Sequence, residues 1–259
     1  MRILSVFGTR PEAIKMAPVI QALGSDPDFD SLVCVTAQHR DMLDSVLNLF
    51  SITPDFDLDI MKENQNLTYI TTAVLKGLIN IFKQANPDRI LVHGDTTTTF
   101  AASLAAFYAN IPVGHVEAGL RSGNIHAPWP EEMNRRLVDT ICDMLFTPTA
   151  SSRLNLINSG FSNESIFVTG NTVIDALLHI SQRLDDKNYL EKEFHENFPK
   201  LSGEKKVILV TGHRRENIGK GFASVCSALR QLASRSDVEI VYPVHLNPCL
   251  LYTSDAADE

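Results

Sequence analysis

Short apolar, β-branched runs alternate with helical patterns from the first residues onward, and this alternation leaves few folds open. Strands are expected at residues 3–7, 32–36, 89–93, 113–116, 144–147, 166–169, 207–211 and 238–244. Helices are expected at residues 14–23, 67–84, 98–108, 133–143 and 222–233. The strand candidates are almost continuously apolar, as strands covered on both faces must be. The predicted class is therefore α/β, with doubly wound, Rossmann-like parallel sheets. Ligands of such sheets bind outside the carboxyl ends of the strands, so strand-end residues are the first candidates for function.

Length and charge narrow the setting. A chain of 259 residues makes one large domain or two ordinary ones. The net charge of -8 argues against non-specific binding to nucleic acid or to a membrane surface, because phosphate repels an acidic protein. Cys34, Cys142, Cys226 and Cys249 are far apart and form no C-x-x-C pair, which suits reduced thiols. The apolar run at residues 3–7 is too short for a signal peptide, and no later run approaches a bilayer span. A cytoplasmic protein is expected.

The strand ends carry the chemistry. Residues 8–15, G-T-R-P-E-A-I-K, lack the dinucleotide fingerprint but read as a helix start, with Thr9 as N-cap, Pro11 in the first turn and Glu12 completing a capping box. Arg10 and Lys15 could draw phosphate to that start, or merely be solvated cations. After the strand at 89–93 comes H-G-D-T-T-T-T, where Asp95 is a natural N-cap. Four threonines in a row are mediocre helix formers, so their hydroxyls should face something polar. Residues 114–136 set Glu117 at a strand end and Glu131 and Glu132 at a helix start, among Arg121, Arg135 and Arg136. Each acid alone has an ordinary explanation: Glu117 paired with Arg121, or Glu131 and Glu132 favoured by the helix dipole. Several such acids gathered along one sheet edge suggest an acid–base site beside an anion.

The charged, helical passage at 181–206 reads as the way into a second domain. That domain opens with T-G-H-R-R-E-N (211–217), in which His213 and Arg214 are candidates for gripping phosphate. The expected division is an N-terminal Rossmann-like domain at 1–175 and the start of a C-terminal nucleotide-binding domain at 176–248. Two clear strands are too few to bury both faces of a parallel sheet. The second domain is therefore expected to be incomplete, the protein truncated at its C-terminal end, and residues 249–259 a non-native tail.

Taken in order, G-T-R-P-E-A-I-K (8–15), H-G-D-T-T-T-T (93–99), G-H-V-E-A-G-L-R (114–121), P-W-P-E-E-x-N-R-R (128–136), T-G-N-T-V-I-D (169–175), T-G-H-R-R-E-N (211–217) and Y-P-V-H-L-N-P (242–248) resemble the bacterial non-hydrolysing UDP-N-acetylglucosamine 2-epimerases. The resemblance implies a two-domain fold like that of GT-B glycosyltransferases, with substrate between the domains. It implies interconversion of UDP-GlcNAc and UDP-ManNAc for polysaccharide biosynthesis, no metal or redox cofactor, and a homodimer. By carry-over, Asp95, Glu117, Glu131 and His213 are expected to be catalytic. Arg10, Lys15, Asp95, Glu117 and His213 are expected to bind substrate, with Arg214 added on its chemistry. Gln38 and His245 match part of a site for a second UDP-GlcNAc acting as activator. The resemblance implies that relatives continue for roughly another hundred residues beyond this sequence.

Other readings stay open. His93, Asp95, His115, Glu117 and His213 could instead hold the divalent ion of a phosphoesterase. A hydrolysing epimerase, a glycosyltransferase of the same architecture and an inactive sugar-nucleotide-binding fragment are further alternatives.

Overall fold

The structure, a computed structural model, describes residues 1–37, 40–62, 65–185, 201, 204–211 and 220–243. Gln38, His213, Arg214, His245 and the stretch 249–259 lie outside them. Contacts divide the chain into one unit at 1–182 and another at 183–259.

The first unit alternates strand and helix throughout: β1 (Arg2–Phe7), α1 (Arg10–Ser25), β2 (Asp30–Val35), α2 (Arg40–Leu49), β3 (Phe56–Asp57), α3 (Leu67–Ala85), β4 (Arg89–His93), α4 (Thr97–Tyr108), β5 (Val113–Val116), α5 (Glu131–Ile141), β6 (Met144–Thr147), α6 (Ala150–Asn158), β7 (Ile166–Val168) and α7 (Thr172–Asp185). All seven strands pair in parallel, in the order β3-β2-β1-β4-β5-β6-β7. The order reverses between β1 and β4, the switch point at which doubly wound sheets open a crevice at their carboxyl edge. The expected α/β class stands.

Two apolar layers explain why the central strands are so continuously hydrophobic. On one face Leu4, Val6, Ile90, Val92 and Val113 pack against Val74 and Leu78 of α3 and Ala101, Ala102, Ala105 and Ala106 of α4. On the other, Ile3, Phe7, Val33, Val35 and Leu91 pack against Ala13, Met16 and Ala17 of α1 and Leu43 and Val46 of α2. Each large side chain so buried is worth about 1.5–3 kcal/mol. The alanines of α4 permit its close approach to the sheet. α3 ends on Asn86, whose left-handed φ of 44° closes the helix before Pro87.

In the second unit the described residues form β8 (Lys206–Leu209), α8 (Lys220–Ala233) and β9 (Val238–Val241), with β8 and β9 parallel. The two strands are shorter than the apolar runs at 207–211 and 238–244 suggested. Among the described residues, no helix is long and apolar enough to cross a membrane.

Candidate active site

Three turns, after β1, β4 and β5, meet at the carboxyl edge beside the switch point. The first is shaped by a close approach. A Cβ on Gly8 would stand 2.0 Å from Thr36 Oγ1 and 2.7 Å from Thr98 Oγ1, hydroxyls that bond each other at 3.1 Å. Glu12, one turn into α1, folds back so that its Oε2 accepts the Gly8 and Thr9 N–H groups at 3.0 and 2.8 Å. Its Oε1 lies 2.7 Å from Thr96 Oγ1 and 2.9 Å from Thr99 Oγ1. The threonine run thus faces a buried carboxyl group, which fastens the turns on both sides of the strand-order reversal. Burial pushes the Glu12 carboxyl above its ordinary value, against the hydrogen bonds of Thr96, Thr9, Gly8 and Thr99. Thr99 Oγ1 also donates to the His93 carbonyl at 2.7 Å. Its one hydrogen cannot serve both partners, so a protonated Glu12 satisfies the group.

Asp95 follows Gly94, whose φ is 68°. The sequence made Asp95 the N-cap of α4, but the cap is Thr96, whose Oγ1 accepts the Thr99 N–H at 3.1 Å. The Asp95 carboxylate is thereby left to Arg135 of α5, which donates through Nε at 3.0 Å and through Nη2. Asn134 Nδ2 holds the Asp95 carbonyl at 2.9 Å.

Glu117 stands at the end of β5 with a φ of 68°. A non-glycine residue there stores on the order of 1–3 kcal/mol of strain. Lys15 Nζ donates to both of its carboxylate oxygens, at 2.7 and 2.6 Å. The pairing with Arg121 that the sequence left open does not form. Arg121 instead donates to Asp139 Oδ2 at 2.7 Å.

The two acids that open α5 part company. Glu132 is fully buried and accepts the Ser122 N–H at 3.0 Å, Arg136 Nε at 2.9 Å and Arg135 Nη1 at 3.3 Å. Burial pushes its carboxyl up, but the Ser122 N–H and the two guanidinium groups outweigh that and hold it below the ordinary range. Glu131 has a buried Oε2 with no hydrogen-bond partner among the described residues. Glu132 builds the loop, and Glu131 keeps an uncommitted oxygen.

Behind these turns His115 is fully buried, with Nδ1 2.7 Å from Asp139 Oδ1 and Nε2 donating to the Gly94 carbonyl at 2.7 Å. Burial raises the Asp139 carboxyl, yet the His115 ring and the Arg121 guanidinium prevail and keep it below the usual range. Both His115 nitrogens are committed, which removes it from any metal-binding set. Among the described residues no group of three or more His, Cys, Asp and Glu side chains could hold a metal ion. Of the donors that the phosphoesterase reading names, His115 is thereby lost.

Of the residues singled out from sequence, the structure joins Lys15 to Glu117 and Asp95 to Arg135, and sets Glu131 at the start of α5. Arg10 is exposed at the start of α1. Sequence reasoning missed the Glu12 clamp and the His115–Asp139–Arg121 network. The threonine run was the one local signal for the clamp, and the network's long-range pairing left none. Two carboxylates, each held by a cation, provide proton acceptors beside groups that can take up a departing oxyanion.

Comparisons with known proteins identify the family. A family model described as UDP-N-acetylglucosamine 2-epimerase matches residues 21–251. The UDP-N-acetylglucosamine 2-epimerase of Salmonella typhimurium is 58% identical over 249 residues, covering 96% of this chain and 66% of that protein. The Escherichia coli enzyme is 57% identical with the same coverage, so the chain spans just under two thirds of these curated relatives. Among solved structures, the Neisseria meningitidis UDP-GlcNAc 2-epimerase bound to UDP-GlcNAc superposes with a TM-score of 0.88 at 50% identity, covering 96% of this chain and 67% of that one. The Methanocaldococcus jannaschii enzyme in complex with UDP-GlcNAc and UDP superposes with a TM-score of 0.80 at 30% identity, covering 100% and 69%. The chain belongs to the UDP-N-acetylglucosamine 2-epimerase family.

Proposed function

We propose that the protein interconverts UDP-GlcNAc and UDP-ManNAc by reversible epimerisation at C2 of the sugar. The observation that carries this reading is the placement of Glu117 and Asp95 at neighbouring strand ends, each held by a cation, in a member of this family. The C2 hydrogen is not next to a carbonyl, so direct deprotonation is very difficult. Departure of UDP from C1, taking the bonding electrons, builds positive charge at C1 and makes that hydrogen acidic. A carboxylate removes the C2 proton, the C1–C2 double bond forms, and the intermediate is 2-acetamidoglucal with UDP still bound. Protonation of C2 from the opposite face and return of UDP to C1 give the epimer. Inversion needs acid–base groups on both faces, which is the use for Asp95, Glu117 and Glu131. Lys15, Arg10, His213 and Arg214 suit the diphosphate, whose departure creates negative charge.

The same reading assigns residues 1–175 to one Rossmann-like domain and residues 176–248 to the start of a nucleotide-binding domain. It includes a homodimer, a cytoplasmic setting in polysaccharide biosynthesis, and a second UDP-GlcNAc acting as activator through Gln38 and His245. The test is proton NMR of UDP-GlcNAc incubated with the protein in deuterated water. The expected product is the manno epimer carrying deuterium at C2. Free N-acetylmannosamine would establish the hydrolysing alternative, and an unchanged spectrum from folded protein would reject turnover. Asp95→Asn, Glu117→Gln and Glu131→Gln should each lower turnover by about a hundredfold or more, the usual contribution of a placed acid or base. Near-normal activity in any one of them removes that residue from the mechanism.

A further inference from the structure

His93 ends β4 and is 3% exposed, yet neither ring nitrogen has a hydrogen-bond partner among the described residues. Buried polar atoms are almost always paired, and an orphaned one costs about 1–3 kcal/mol. A histidine kept there at that cost calls for a use in another state of the site. The strand register sets His93 opposite Val116, directly before Glu117, and its Nε2 lies 3.8 Å from Glu117 Oε1. That is too long for a hydrogen bond, but a small rotation of the carboxylate would close it. The carboxylate is held instead by Lys15, which donates to both of its oxygens. Burial, followed by the neighbouring Lys15 and His115, pushes the His93 ring down to about 3, so it is neutral and carries one N–H.

We propose that His93 is a positioning residue for Glu117, its Nε2–H taking hold of the carboxylate when an anionic group of a bound sugar nucleotide draws Lys15 away. This rests on the epimerase reading above. An ammonium group drawn toward the diphosphate loosens its two bonds to Glu117, and without a second donor Glu117 would lose its placement just when a proton must move. A histidine anchored on a central strand supplies a rigid donor. Being neutral, it also opposes protonation of a neighbouring carboxylate less than an ammonium group does.

Two measurements on the protein test this. In His93→Leu, kcat should fall about 10- to 100-fold, the scale of a misplaced reacting group, with KM changed by less than about threefold. Its thermal midpoint should stay level or rise, because two unpaired nitrogens are removed. His93→Gln, which returns an N–H near the Nε2 position, should recover most of the lost kcat. Unchanged kcat in His93→Leu, or a lowered midpoint without recovery in His93→Gln, overturns the proposal. The second measurement needs no turnover. With nitrogen-15-labelled histidine and no ligand, Lys15→Met should show a downfield, hydrogen-bonded Nε2–H signal that the unsubstituted protein lacks and that His93→Gln in the same background removes. Absence of that signal overturns the role of His93. Absence of epimer from the unsubstituted protein would overturn the epimerase reading and leave the NMR result for His93 standing.

Discussion

Glu12 shows how much one residue can decide. Its carboxyl group takes two backbone N–H groups on one oxygen and faces two threonine hydroxyls on the other. Because burial raises its pKa in the folded state, its contribution to stability is full below the ordinary carboxylate range and is lost as pH rises through the raised value. Glu12→Gln can accept the two N–H groups and donate to Thr99 without titrating. Urea unfolding across a pH series should therefore show the unsubstituted protein losing ground to Glu12→Gln as pH rises. A gain of the unsubstituted protein over Glu12→Gln as pH rises would refute the protonated clamp. At this scale the sequence is readable only for near neighbours. The Glu12 bond to Thr9 spans three residues and could be foreseen, whereas its bonds to Thr96 and Thr99 span 84 and 87. For the same reason Asp95 looked like an N-cap: its use by Arg135, 40 positions on, has no local signature.

Helix α5 is the element that assembles the site. Glu131 opens it, Glu132 secures the preceding loop, Asn134 and Arg135 hold Asp95, and Asp139 carries the His115 and Arg121 bonds. Asp139→Asn breaks a buried pair and should cost about 3–5 kcal/mol in urea unfolding. The pH trend here has the opposite sign to that of Glu12. The lowered folded pKa gives Asp139 a contribution that is present above the ordinary range and lost on acidification, so the gap to Asp139→Asn should close as pH falls. A gap constant with pH would show that the carboxylate charge is not what ties the helix down. Most elements were legible because central strands must be apolar throughout. β3 was not, since two residues at a sheet edge carry no period, and neither were α2, α6 and most of α7.

Across the molecule, protection from solvent is uneven. Ile90 and Val92 of β4 are fully buried, whereas Val207 and Leu209 of β8 are 50% and 66% exposed. Hydrogen exchange should be at least about a hundredfold slower in residues 89–93 and 113–116 than in residues 206–209 and 238–241, since local opening follows burial. Equal protection would mean that the two units open as one. The parallel sheet also bears on how the protein is made. Glu12 emerges from the ribosome 84 residues ahead of Thr96, which at roughly 5–20 residues per second is a delay of roughly 4–17 s. Throughout that interval the nascent first helix has a carboxyl group with half its partners still unsynthesised. The turns around the site can therefore close only after translation has passed the start of α4.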